Sequence, residues 1–189
     1  MINPKTFRAS YSVLSQWSQG NWQDAIKMYF KMPTPTYQAM AEGKAWHEKW
    51  ANFIDKVKML PVEFTNQKLI APQTELKIVV HLADWLDLVG VIDCYDEKTI
   101  YEFKTGSTNS TANYYETQAG VYGILAKLTD REAEKCHIMH YNQHTKEADT
   151  TIIWLTDKML EGTLEWIQGN AAEMHSYLVD NNLYEELGK

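Results

Sequence analysis

Cysteine is scarce in this sequence of 189 residues, which contains only Cys94 and Cys136. Two thiols cannot build a framework of disulfides, and they are too few for a zinc site or an iron–sulfur cluster held by cysteines alone. We therefore expect no iron–sulfur cluster, and we interpret both cysteines as small buried residues.

Long apolar segments are also lacking. No run approaches the ~20 consecutive apolar residues of a membrane helix, and residues 1–10 lack the apolar core of a signal peptide. Glycine and proline are few, 9 and 5, whereas 44% of the residues are hydrophobic, which is typical of a folded globular protein. The sequence thus predicts a cytoplasmic protein with no membrane partner, in a bacterium or, if phage-encoded, in the host cytoplasm.

An excess of positive charge is the third absence, since the net charge of −7 excludes a strongly basic coat for nucleic acid. The charges are unevenly distributed, however. Residues 1–70 carry nine Lys and Arg against five Asp and Glu, a balance of +4, and the remainder carries nine against twenty, a balance of −11. This asymmetry leaves the N-terminal third able to face phosphates.

Helical spacing of apolar residues fills the first 60 residues. Ser10 or Ser12 caps a first short helix, Gly20-Asn21 separates it from a second, and Thr36 opens a longer helix that runs to about residue 58. The apolar period then changes to that of strands, over 63–69, 75–87, 88–95 and 99–105.

A helix is predicted over 111–128, followed by strands over 135–142 and 148–155 and a closing helix over 157–178. Because a strand, a helix and a strand succeed one another between 99 and 142, we expect a crossover connection within one sheet. The sequence therefore predicts an α/β fold with a mixed central sheet flanked by helices and an N-terminal helical section.

Two apolar strands around an acidic turn carry the most informative residues. If the turn is centred between Glu97 and Lys98, Asp93 lies opposite Glu102, and Lys104 shares the face of Glu102. Two opposed carboxylates repel each other, and a divalent cation removes the repulsion. Carboxylate oxygens, completed by a backbone carbonyl such as that of Phe103, suit Mg²⁺ or Mn²⁺.

The segment Gly90-Val91-Ile92-Asp93, followed by Glu102-Phe103-Lys104-Thr105-Gly106, resembles the active-site hairpin of the PD-(D/E)XK nucleases. The resemblance is to the RecB-like exonuclease branch, which includes CRISPR-associated and phage exonucleases. Three further motifs of that branch occur in the same order, namely Ser10-Tyr11-Ser12-Val13-Leu14, Gly43 with His47, and Gln118 with Tyr122.

This resemblance implies a restriction-endonuclease-like fold and a single nuclease domain over 1–189. Within it, 1–60 is the helical N-terminal section, 61–156 the catalytic sheet and helix, and 157–189 the C-terminal helix. His47, Asp93 and Glu102, with the carbonyl of Phe103, are the implied metal ligands. The implied catalytic residues are Asp93, Glu102, Lys104, Gln118 and Tyr122, and the implied contacts to substrate are Lys44, Lys49, Gln118 and Tyr122.

The implied activity is metal-dependent hydrolysis of DNA phosphodiesters, as an exonuclease on DNA ends or single strands in recombination, repair or the processing of phage or mobile-element DNA. Two alternatives remain open: a structure-selective endonuclease, and a catalytically degenerate nuclease fold that binds DNA or serves in an assembly. Because the sequence contains no phosphate-binding loop, a helicase or recombination protein would be a separate partner.

Overall fold

A computed structural model of the chain describes residues 6–33, 38–106 and 112–188. Within these ranges the elements are, in chain order, β1 (Phe7–Ala9), α1 (Tyr11–Ser18), α2 (Trp22–Tyr29), α3 (Gln38–Val57), β2 (Gln73–Ala83), β3 (Leu86–Asp96), β4 (Thr99–Thr105), α4 (Ala112–Lys127), β5 (Lys135–Tyr141), β6 (Ala148–Trp154), α5 (Asp157–Asp180) and α6 (Leu183–Leu187).

All six strands belong to one mixed sheet, in which β3 is central. β2 runs antiparallel along one edge of β3, from Gln73↔Tyr95 to Ala83↔Leu86. The other edge of β3 is divided: its first residues pair in parallel with β1, and its last pair antiparallel with β4. β5 is parallel to β4, and β6 is antiparallel to β5. Residues 89–93 of β3 therefore face an opening in the sheet between β1 and β4.

Helices cover both faces of this sheet, as successive strand residues show. Ile100 packs into the larger core cluster, to which α1, α2, α4 and α5 contribute, whereas its neighbour Tyr101 packs into a second cluster with Trp50 and Ile54 of α3. The mixed sheet flanked by helices, with a helical N-terminal section, confirms the predicted fold class. We name these clusters the α4–α5 core and the α3 core.

Several predicted elements agree closely with the structure. Ser10 caps α1, since the backbone N–H of Val13 donates to its Oγ at 3.5 Å, and Asn21 precedes α2 as expected. The strand predicted over 99–105 is β4. Two predicted helix starts, Thr36 and Thr111, lie outside the described residues.

The strand predicted over 63–69 is wrong. This stretch is a turn and loop with one isolated bridge, between Met59 and Lys68. Its ends are anchored by burial of Leu60 and Leu69 and by Asp96, whose carboxylate accepts the N–H groups of the two residues that follow Leu69. Leu69 is apolar because it packs in the α3 core from a loop, and not because it belongs to a strand.

The boundary predicted between the next two strands, at 87/88, is also wrong. The chain turns at Asp84 and Trp85, and the pairing of β2 with β3 shifts between His81 and Ala83. The sequence did not predict β1 or α6, because these elements are only three and five residues long. β1 exists because β3 offers it a free edge, where the N–H of Phe7 donates to the carbonyl of Trp85.

Both cysteines are buried and neither forms a disulfide, in agreement with their interpretation as small core residues. In the described ranges, no helix combines the length and the apolar character needed to cross a membrane. The single-domain organisation and the cytoplasmic location remain predictions.

Candidate active site and metal centre

The β3–β4 hairpin has the predicted register. Asp96 pairs with Thr99 and Cys94 with Tyr101, around a turn in which Glu97 adopts a left-handed φ of 52°. The ladder ends there, however, one step before Asp93 and Glu102. These two residues follow at the next step of the register but do not form a ladder pair.

Asp93 divides its two carboxylate oxygens between neighbours. Oδ2 accepts a hydrogen bond of 2.8 Å from the backbone N–H of Phe103, and Oδ1 lies 3.3 Å from Nδ1 of His47 on α3. Only 9% of the residue is exposed. Asp93 therefore links the hairpin to the helix that packs on the α3 face of the sheet.

The side chain of Asp93 points towards α3 because the regular alternation of side chains between the two faces of β3 is interrupted at this residue. Ile92, before it, packs in the α4–α5 core, whereas Cys94, after it, packs in the α3 core. In a regular strand, two residues separated by one position share a face. The predicted face-to-face placement of Asp93 and Glu102 is thus corrected, since Asp93 contacts α3 and Glu102 contacts α4.

Glu102 is buried beside α4, with 4% of the residue exposed. Its Oε1 accepts hydrogen bonds from Nζ of Lys104 at 2.8 Å and from Nε2 of Gln118 at 2.7 Å, and the same Nε2 lies 3.0 Å from the hydroxyl of Tyr122. The other oxygen, Oε2, is buried without a hydrogen-bond partner among the described residues. A buried carboxylate oxygen in this state is costly unless something else binds it.

The burial of Glu102 changes the pKa values of the ionisable side chains at the hairpin. Desolvation, reinforced by the charge of Asp93, raises the pKa of Glu102 to about 7, although Lys104 opposes the shift. Desolvation works to lower the pKa of Lys104, but the adjacent Glu102 outweighs it and the pKa is raised, so the amine is held as an ammonium. The predicted residues Glu102, Lys104, Gln118 and Tyr122 are thus brought together in one hydrogen-bonded group.

His47 reaches the site because α3 approaches the end of β4 closely. A Cβ on Gly43 would lie only 3.0 Å from Oγ1 of Thr105, so the helix and the strand are in close contact here. Burial works to lower the pKa of His47, but its contact with Asp93 and the charges of Asp93 and Glu102 raise it. The acidic surroundings of this imidazole therefore favour a positive charge at its position.

Glu75 is a residue of the site that the sequence did not reveal. One ligand atom from each of His47, Glu75 and Asp93 lies within 4.8 Å of the others, a spacing that suits a bound metal ion. Desolvation and the nearby Asp93 raise the pKa of Glu75, against the effect of His47. Glu75 falls inside a predicted strand, but only the true turn and the shift in β2 place it beside Asp93.

An open groove of about 990 Å³ contains this group. Lys44 lines the groove, as do Asp93, Glu75 and Lys104. The second predicted substrate lysine, Lys49, is not among the lining residues described. Its Nζ lies 2.8 Å from Oε1 of Glu63 and 4.1 Å from the ring centre of Trp46.

A smaller cavity of about 480 Å³ lies on the other side of Lys104. Hydroxyl, amide and imidazole groups line it, including those of Ser12, Ser15, Gln118 and His140. Lys104 therefore lies between an acidic groove and a polar cavity and lines both.

The donor atoms fit a divalent ion. Two carboxylates and an imidazole converge on one point, and a buried carboxylate oxygen of Glu102 is left without a partner nearby in the described structure. Carboxylates favour Mg²⁺, Mn²⁺ or Ca²⁺, and an imidazole adds affinity for transition metals. Glu102 is not a member of the 4.8 Å group as the residues are placed.

Comparisons with known proteins find solved structures with a similar fold but no match to a protein family or a curated protein. No protein-family model and no curated protein matches the chain. Among solved structures, an alkaline exonuclease from Laribacter hongkongensis, LHK-Exo, matches with a TM-score of 0.62 and 12% identity, over 95% of each chain. A predicted exonuclease from Eubacterium rectale matches with a TM-score of 0.64 and 16% identity, over 95% of this chain and 83% of its own.

The structure of LHK-Exo in complex with dAMP also matches, with a TM-score of 0.58 and 13% identity, over 98% of this chain and 94% of the other. Identities this low establish a shared fold. The chain therefore has the fold of these exonucleases along nearly its whole length, and it carries a candidate His/Glu/Asp metal group.

Proposed function

We propose that this protein is a Mg²⁺- or Mn²⁺-dependent deoxyribonuclease that hydrolyses phosphodiester bonds as an exonuclease on DNA ends, with single strands as the preferred substrate. One observation carries the proposal: His47 and Asp93 converge on an open groove directly beside the buried Glu102 and its half-buried partner Lys104. A binding module has no need for carboxylates that are desolvated next to one another, because their repulsion only costs stability.

In this proposal His47, Asp93, Glu102 and the carbonyl of Phe103 hold the metal. The ion would supply Lewis-acid activation of the scissile phosphodiester and of a water molecule. The backbone N–H of Phe103 donates a hydrogen bond to the carboxylate of Asp93. This bond holds the backbone of Phe103, and with it the carbonyl of the same residue, close to Asp93.

Lys104 acts on the reacting groups themselves. Its ammonium is held at 2.8 Å by Oε1 of Glu102, and it would orient the attacking water and stabilise the negative charge that develops on the phosphate. Gln118 donates to the same oxygen and contacts Tyr122, so both are positioning residues that hold Glu102, and through it Lys104, in place.

DNA is the proposed substrate. The complex of LHK-Exo with dAMP supports a deoxynucleotide product, by likeness of fold. Lys44, exposed in the groove, is the proposed contact to the DNA backbone, and Lys49 would contribute from outside it. In the cell, the proposed enzyme acts in recombination, repair or the processing of phage DNA. A separate helicase or recombination protein would be its partner.

The test is a digestion panel with end-labelled single strands and duplexes in Mg²⁺, in Mn²⁺ and in EDTA, together with a circular single strand. We expect metal-dependent release of nucleotides from linear strands and none in EDTA. Asp93→Asn, purified identically, controls for contaminating nuclease. Equal digestion by wild type and Asp93→Asn would overturn the proposal, and cutting of the circle would favour the endonuclease alternative.

A further inference from the structure

The opening in the sheet between β1 and β4 contains a cavity of about 270 Å³. The pairing of β1 with β3 ends at Leu88, and the pairing of β4 with β3 is limited to Cys94 and the two residues after it. Between these points no strand of the described structure pairs with this edge of β3. The cavity is lined by residues 89–91 of β3, 121–122 of α4 and 10–12 at the start of α1.

The backbone of β3 presents hydrogen-bonding groups to this cavity. The carbonyl of Trp85 accepts from the N–H of Phe7 on β1, so it points to the β1 side of β3. Every second residue of a strand directs its backbone groups to the same edge, and the pairing of β3 with β2 is regular over 87–92. Val91 therefore directs both its N–H and its carbonyl into the opening, where a bound group is able to pair with them.

The cavity adjoins the candidate metal centre. Val91 also lines the metal groove, and Ser12 also lines the polar cavity beside Lys104. Asp93 follows Val91 by two residues, or roughly 7 Å along the strand. Tyr122, on the opposite wall, contacts Gln118 within the hydrogen-bonded group of α4. A phosphate near Asp93 and a group in the opening are thus separated by about the length of one nucleotide.

The chemistry of the cavity fits a nucleobase rather than a phosphate. No charged side chain is among the described residues that line it, so a phosphate would have no cation to pair with. Its aliphatic and aromatic walls suit the apolar faces of a planar ring. Each of the four DNA bases carries an acceptor next to a donor on its Watson–Crick edge, which complements the N–H and carbonyl of Val91.

We propose that this opening binds the base of a nucleotide that flanks the bond to be cleaved, with the backbone of Val91 at the edge of the base and Tyr122 in contact with it. This inference rests on the proposed function and deepens it. Because the backbone offers one donor and one acceptor to every base, the site detects the presence of a base without selecting its identity.

Abasic residues test the inference, because they remove a base and keep the sugar and phosphate. Each end-labelled single strand carries one tetrahydrofuran residue, at the first or second position from either end. Release of the first nucleotide is measured under single-turnover conditions in Mn²⁺. At one of these positions we expect the abasic residue to slow release by about tenfold or more, as for the loss of one base contact. The four natural bases there should give similar rates.

Val91→Phe fills the opening and identifies the site. Val91 is 40% exposed, so a larger side chain is tolerated without displacing the core. This variant should slow release from the intact strand and bring the ratio of intact to abasic rates close to one. Damage to the metal centre would slow both strands equally and leave that ratio unchanged.

Ser12→Phe, at an exposed position on another side of the cavity, is the second variant and should lower the ratio in the same way. Val179→Phe is the matched control, because it makes the same change as Val91→Phe at an exposed position of α5. It should keep the wild-type ratio. Melting temperatures of the three variants confirm that each is folded.

The outcomes separate this inference from the proposed function. Equal rates on intact and abasic strands, or a ratio that neither Val91→Phe nor Ser12→Phe lowers, would overturn the base site and leave the nuclease proposal standing. If the wild-type protein cleaves no strand, the nuclease proposal falls. The ratio of Kd values for intact and abasic strands, from fluorescence anisotropy in Ca²⁺, then decides on the base site by the same criteria. Absence of both cleavage and DNA binding would overturn both.

Discussion

The ammonium of Lys104 lies 2.8 Å from Oε1 of Glu102, two residues away on the same strand, while the second oxygen of Glu102 is left without a partner among the described residues. The carboxylate therefore serves two purposes at once: Oε1 fixes the lysine, and Oε2 is free to bind something else. In the proposed mechanism, this arrangement separates the group that would bind an ion, Glu102, from the group that would act on the substrate, Lys104.

Lys104→Ala should therefore slow cleavage while leaving metal and DNA binding largely intact. Loss of one electrostatic donor to a transition state typically costs about 10²–10³-fold in rate. Single-turnover digestion of a saturating, end-labelled strand isolates this step. Lys98→Ala, at the exposed turn of the same hairpin, is the control, and cleavage by Lys104→Ala at the wild-type rate would refute the assignment of Glu102 and Lys104.

Added Mn²⁺ should raise the melting temperature of the wild-type protein, because an ion that binds the folded state alone stabilises it by mass action. The gain is about 2.7 kcal/mol when the free ion exceeds its Kd a hundredfold. Glu102→Gln should reduce the rise in melting temperature, since it removes a charged ligand. Differential scanning calorimetry across a range of Mn²⁺ concentrations measures this, and a melting temperature independent of Mn²⁺ would argue against any metal centre.

Lys44→Gln should weaken DNA binding and lower the slope of log affinity against log salt concentration by about one, the effect of one lost phosphate contact. Lys27→Gln is the matched control, because Lys27 is on α2 and is already paired with Asp24 at 3.2 Å. Fluorescence anisotropy with a labelled strand in Ca²⁺ gives both slopes. Equal slopes for the two variants would mean that the DNA does not follow the groove lined by Lys44.

Gly90→Ala should destabilise the fold, because β3 passes directly beneath α4. A Cβ at this position would overlap Cδ1 of Leu125 and lie 3.6 Å from Cε1 of Tyr122. Overpacking of this kind typically costs about 1–3 kcal/mol. Gly162→Ala is the contrast, since nothing lies within 4 Å of its Cβ on α5 and alanine favours a helix by about 1 kcal/mol. Chemical denaturation should show changes of opposite sign.

His175 should make a contribution to stability that is lost as the pH falls below about 6.5. Burial lowers the pKa of this imidazole from its ordinary 6.5, and its Nδ1 lies 2.8 Å from the hydroxyl of Tyr184. Below pH 6.5 the unfolded chain takes up the proton while the folded chain resists it, so the free energy of unfolding falls until the folded pKa is reached. Above pH 6.5 the imidazole is neutral in both states and contributes no slope.

On acidification from about pH 7.5 to about pH 5.5, the melting temperature of His175→Gln should accordingly change more favourably than that of the wild type. His144→Gln, at an exposed turn, is the control and should keep the wild-type slope. An unchanged slope in His175→Gln would show that other groups cause the acid sensitivity.

Local signals were sufficient to predict the register of the β3–β4 hairpin. The acidic turn at Glu97 and Lys98 fixes the register of β3 and β4, because a two-residue turn leaves only one way to pair the apolar residues that follow. The helical spacing of Gln118 and Tyr122 likewise placed both on one face of α4, where one amide nitrogen lies within hydrogen-bond distance of both Glu102 and the tyrosine hydroxyl.

Other predictions failed where burial came from distant parts of the chain. Leu60 and Leu69 are buried in a loop rather than in a strand, because α3 and the sheet cover them from outside the segment. The strand β1 is stable only because β3 offers it a free edge. Neither effect is visible in a window of neighbouring residues.

The sequence by itself determined the α/β fold class, the register of the β3–β4 hairpin and the proximity of Glu102, Lys104, Gln118 and Tyr122, since each depends on the spacing of residues within one or two adjacent elements. Only the tertiary structure decided the place of Glu75. A tight turn at Asp84 and Trp85 alone would pair it with Cys94, and the one-residue shift in β2 moves it opposite Asp93. Because side chains in a strand alternate between faces, that single shift decides whether the carboxylate lies at the metal group or away from it.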